Sequence, residues 1–111
     1  MSDPVDRAFQ ELRLEYLASL PARLEELRSD LASRRTGDPT VDASLKVRLH
    51  RLAGSGGSYG FSHLSSLARE AERCLANHPA VRGQDELQRI VDRLAQAAAD
   101  AEVEVRKRVG G

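Results

Sequence analysis

Apolar residues recur along this chain at steps of three and four, the spacing that lines one face of an α-helix. Phe9, Leu12, Tyr16, Leu20, Leu24, Leu27 and Leu31 form the first such stripe. Asp3 and Pro4 precede it as N-cap and first helical residue, where proline's missing N–H costs nothing. Pro21 falls inside the stripe, and its ring clashes with the carbonyl one turn back. The pattern therefore predicts one kinked helix, or two nearly collinear ones, over residues 4–34. A second Asp-Pro start at Asp38-Pro39 opens a stripe of Val41, Leu45, Leu49 and Leu52. Gly54, Gly56, Gly57 and Gly60 mark its end, with Gly60 suited to the position just past the C-cap.

Ser62 is placed to cap a third helix carrying Leu64, Leu67, Ala68, Ala71 and Leu75, which stops at Asn77-His78-Pro79. The fourth runs from about Gln84 to Arg108, with Leu87, Ile90, Val91, Leu94, Ala98, Ala101 and Val105 on one side. Asp85 and Glu86 in its first turn and Arg106, Lys107 and Arg108 in its last match the helix macrodipole. No stretch alternates long enough to predict a strand. Short connections force neighbouring helices antiparallel. The expected fold is all-α, an up-down antiparallel four-helix bundle with a kinked or split N-terminal helix. It forms a single domain over residues 1–111 with its core bundle at about 4–108.

Composition narrows the function classes. The 111 residues suit one domain with a modest core, too small for a two-domain enzyme. With 17 basic and 17 acidic side chains there is no basic excess to neutralise phosphates, and 4% aromatics are too few for base stacking. Nucleic acid is therefore not an expected partner. A single cysteine excludes a disulfide framework and a multi-Cys zinc site, and fits a reducing compartment. No run approaches ~18 apolar residues and no signal-peptide core opens the chain, so no membrane association and a cytoplasmic location are expected.

The solvent face of the second helix departs from the rest of the chain. Leu45, Leu49, Leu52 and Gly56 mark its core side, and His50 points away from them. Around His50 lie Ala43, Lys46, Val47, Ala53, Gly54 and Gly57, a small, flat surface with one lysine and one imidazole. Glycine within a helix costs about 1 kcal/mol relative to alanine, so Gly54 and Gly57 require a reason. Close approach of another protein to the imidazole is one. A fraying C-terminus or a tight helix–helix crossing is another, with His50 then an ordinary surface residue. The run Gly54 to Gly60 is no nucleotide loop, since no Lys-Ser/Thr pair follows and it continues a helix rather than a strand. His50, His63 and His78 lack metal-ligand spacing, and Cys74 beside the third stripe reads as a small core residue.

The run His50-Arg51-Leu52-Ala53-Gly54-Ser55, followed by Gly60, resembles the signature of histidine-containing phosphotransfer (HPt) domains. That signature reads His-x-Leu-Lys-Gly-Ser, with a further Gly ten positions after the His. Leu64, Leu67, Ala71 and Glu72 stand where the family's third helix carries Leu, Leu, a small residue and an acid. The resemblance covers about residues 45–75. It implies a bundle whose exposed His50 accepts a phosphoryl group from a receiver-domain aspartate and passes it to another receiver in a bacterial phosphorelay. Lys46, Val47, Ala53, Gly54 and Gly57 would then form the docking face.

The family's Lys three residues after the His is replaced here by Ala53, and Lys46, one turn before His50, is the candidate substitute. The implied protein is a phosphocarrier without a catalytic site of its own and without a cofactor, the divalent metal being the partner's. Its partners would be receiver domains of response regulators and of a hybrid histidine kinase, and the chain itself a monomer. The alternatives are a non-phosphorylated helical adaptor using the same face, and the phosphorylated domain of a chemotaxis-type kinase cut from a longer chain.

Overall fold

The computed structural model describes residues 3–38, 40–77 and 83–110. Four helices follow one another: α1 (Pro4–Arg35), α2 (Val41–Ser58), α3 (Ser62–Asn77) and α4 (Gln84–Gly110). No strand occurs among the described residues. α1 packs on α2 and α4, α3 packs on the same two, and the backbones of neither diagonal pair approach closely. That square arrangement is the up-down bundle which the short connections require.

α1 begins as the sequence requires, with the Asp3 side chain accepting the Val5 N–H at 2.9 Å and Pro4 in the first turn. It is one continuous helix, so the split alternative does not occur; Pro21 sits within it with its ring in solvent. α2 starts two residues later than its Asp-Pro signal suggests, with Thr40 before the first helical residue Val41. Asp38 instead folds back on Thr40, accepting its N–H at 3.0 Å and its hydroxyl at 2.8 Å. Those two bonds hold the Asp38 carboxyl below its usual range. Pro39 lies outside the described residues, as do His78 and Pro79 at the expected end of α3.

Gly60 fulfils its expected role. Its φ of +81° reverses the chain after Tyr59. Phe61 N–H then bonds Gly56 O at 2.8 Å and Gly60 N–H bonds Gly57 O at 3.0 Å, the paired closure of a Schellman motif. α3 begins directly at Ser62.

Two of the first stripe's residues are not core. Phe9 is 40% and Leu12 48% exposed, while Gln10 is buried. Helix lengths explain this. At 1.5 Å per residue, the 32 residues of α1 span about 48 Å, whereas the 18 of α2 span only about 27 Å. The first turns of α1 therefore run past the α2–α3 hairpin, in a molecule 53 Å long.

At the other end of the hairpin a charge is buried. Arg34 is 2% exposed; its Nε donates to Asp42 Oδ1 at 2.8 Å and its Nη1 to Gln84 Oε1 at 3.0 Å. Gln84 Nε2 in turn donates to Leu31 O at 2.9 Å. One guanidinium thus ties α1 to the starts of both α2 and α4, fixing the axial position of the helix that carries His50. Arg34→Ala should destabilise the fold by about 3 kcal/mol, since it leaves Gln84 and Asp42 short of their donor. An unchanged denaturant midpoint would contradict that.

Candidate functional site

α2 buries Leu45, Leu49, Leu52 and Gly56, which turns His50 outward. The imidazole side chain is 81% exposed, halfway along a helix whose backbone is regular on both sides of it. Lys46, Gly54 and Gly57 are exposed around it, and Val47 is an unusual large apolar residue left 47% in solvent. The structure thus brings together His50, Lys46, Val47, Gly54 and Gly57.

Ala53 does not belong to that face. It is only 3% exposed, and its carbonyl accepts the Ser65 hydroxyl at 2.7 Å. On the helix wheel Ala53 lies about 40° from Leu49, on the flank that α3 covers, so small size there serves packing.

The glycines separate in the same way. A Cβ at Gly56 would stand 3.4 Å from Ser65 N and 3.6 Å from Leu64 Cβ, so the α2–α3 crossing leaves room there for a small residue only. A Cβ at Gly57 would meet Ser65 Oγ at 3.5 Å, an ordinary contact. At Gly54 it would meet nothing within 4 Å. The helix-crossing explanation accounts for Gly56 and leaves Gly54 without a packing role.

One residue joins the site from the neighbouring helix. Glu72 on α3 is turned to α2, and its Oε2 lies 3.4 Å from His50 Nδ1. The side chain of Glu72 is only 22% exposed, so the carboxylate approaches the ring from the hairpin side and leaves the opposite ring edge to solvent. Sequence spacing marks Glu72 only as an acid of the third helix. The contact depends on how α2 and α3 cross. Glu72 and Lys46 also line one shallow groove with Ala43, Arg73 and Leu75. Lys46 holds no ion pair among the described residues, whereas Arg48, one helical turn back from Leu52, is engaged by Glu26 and Asp30 of α1.

The other candidates stay apart. His63 is exposed near the start of α3, at the end of the hairpin, and His78 lies outside the described residues. Cys74 is buried and free, and burial pushes its thiol pKa up, as befits a core residue. No group of three or more His, Cys, Asp or Glu side chains suited to a metal occurs among the described residues. No described helix is long and apolar enough to cross a membrane. The arrangement thus offers one exposed nucleophilic ring nitrogen on a rigid helix, with a carboxylate behind it and open space beside it.

Comparison with protein families returns the Hpt domain, matching residues 11–102. Neither curated proteins nor solved structures give a match to the chain.

Proposed function

The chain belongs to the Hpt domain family, whose members serve histidine phosphotransfer in phosphorelays, and on that footing we propose that His50 is its phospho-acceptor. The observation that carries this reading is the exposed imidazole with Glu72 at Nδ1. Glu72 Oε2, 3.4 Å from Nδ1, favours the tautomer with its proton on Nδ1 and so leaves the Nε2 lone pair directed into solvent. Nε2 attacks the phosphorus of a receiver's aspartyl phosphate in line. The N–P bond forms as the acyl O–P bond breaks, and the aspartate leaves as a carboxylate. The ring's positive charge is held against Glu72. Reversal on a second receiver returns the neutral imidazole.

On this reading the receiver supplies the divalent cation and most of the charge stabilisation, and this chain supplies a positioned nucleophile. It is a phosphocarrier of the cytoplasm. Lys46 contributes a cation to the phosphoryl oxygens in place of the family lysine that Ala53 lacks. The receivers of response regulators and of a hybrid histidine kinase are its partners.

Two variants test these roles. Glu72→Ala should slow transfer from a phosphorylated receiver by about tenfold to a hundredfold, because the ring loses its orienting acceptor. Glu72→Gln, which keeps an acceptor oxygen, should recover most of the rate. Lys46→Ala should slow transfer while the melting temperature barely moves, as an exposed charge adds little stability. Wild-type rates in Glu72→Ala would remove the tautomer argument, and a wild-type rate in Lys46→Ala would leave the absent lysine without a substitute.

A further inference from the structure

We propose that the projecting ends of α1 and α4 are an association surface for a second copy of this chain, giving an antiparallel dimer. The hairpin ends where Arg13 Nε donates to Tyr59 O at 2.9 Å. Beyond that bond, residues 4–12 of α1 continue for about 14 Å, accompanied by the last turns of α4. Val5, Phe9 and Leu12 lie there, 76%, 40% and 48% exposed. At steps of four and three they continue the stripe of Tyr16 and Leu20, which is buried in the body of the bundle. The core face of α1 thus runs on past its cover.

What is missing at that end is a helical pair antiparallel to α1 and α4. A second copy related by a twofold axis across the bundle supplies that pair. Its α1 takes the place of α2 and its α4 the place of α3, so every neighbouring pair stays antiparallel, as in the body. The charges agree with this pairing. The tip of α1 carries Asp3 and Asp6. In the overlap it arrives at the other copy's hairpin end, where Arg13, His63 and Arg108 outnumber Glu104 around Phe61 and Ala101. Burial and then the nearby charge of Arg108 lower the Arg13 pKa, which Asp6 of the same copy opposes only in part, so a further carboxylate there is favoured. An overlap only about 14 Å long makes the dimer weak and concentration-dependent. His50, about 14 Å back along α2 from the hairpin end and facing outward, stays open in it.

Sedimentation velocity over about a thousandfold concentration range tests the proposal. The wild-type chain should shift from monomer to dimer. Phe9→Asp combined with Leu12→Asp should weaken association at least about tenfold, with unchanged helical content and unchanged phosphotransfer. Asp6→Arg alone should also weaken association, and adding Arg108→Asp should restore part of it. A wild-type chain that stays monomeric throughout overturns the proposal, as does a dimer that the Phe9/Leu12 pair leaves intact. So does loss of phosphotransfer in that pair, which would assign the face to a receiver.

Discussion

His50→Ala should keep the helical content and thermal stability of the wild type and take no phosphoryl group from a phosphorylated receiver. The first half follows from exposure: the side chain is 81% in solvent, and the core side of α2 is Leu45, Leu49, Leu52 and Gly56. Alanine is also the better helix former, which offsets the loss of the 3.4 Å contact with Glu72. The second half follows from chemistry, since no other described imidazole combines exposure with a carboxylate at the ring. His63 stands at the far end of the hairpin. Labelling is read by autoradiography or intact mass, and folding by circular dichroism. Undiminished labelling of the variant would transfer the role to another residue.

The second large effect is expected at Gly54, where stability and docking separate. A Cβ there meets nothing within 4 Å, and the backbone is helical. Gly54→Ala should therefore be neutral or stabilising by up to about 1 kcal/mol. Gly54→Gln should fold as well, its side chain extending into solvent one turn from His50. That side chain then occupies the space through which a receiver brings its phosphorus to within about 3–3.5 Å of the ring, so transfer should fall by about a hundredfold or more. Gly56 provides the contrast: Gly56→Gln must displace Leu64 and Ser65 and should unfold the hairpin. Thermal melts and transfer rates on the same three variants decide the matter. A Gly54→Gln chain that is unfolded, or one that transfers normally, contradicts the docking argument.

The fold was legible because its signals are local and agree with one another. Periodicity, the Asp3 cap, the Gly60 turn and the charge bias of α4 all belong to single helices. What escaped depended on neighbours. Phe9 and Leu12 share the stripe of Tyr16, and no periodicity tells where the covering hairpin ends. Ala53 and Gly54 are adjacent small residues on one helix, yet α3 covers the first and leaves the second open. Glu72 meets His50 across 22 positions of sequence, so the contact exists only once the hairpin has closed. Arg34 reads as one more charge near a helix end, and only the convergence of α1, α2 and α4 shows it buried with partners.

The identity of the site follows the same division. His50 is conspicuous in sequence through the small residues that flank it, whereas the carboxylate 3.4 Å from its ring comes from another helix. The face is consequently narrower than the helix wheel suggests, losing Ala53, and deeper, gaining Glu72. Both changes come from α3, which covers Ala53 and carries Glu72.

The most direct measurement is site mapping of the phosphoryl group on the wild-type chain after incubation with a phosphorylated receiver and divalent cation. The account predicts one acid-labile, base-stable phosphate, attached to the His50 ring at Nε2. A phosphate mapped to His63 or His78, or a chain that binds the receiver and remains unmodified, would contradict it.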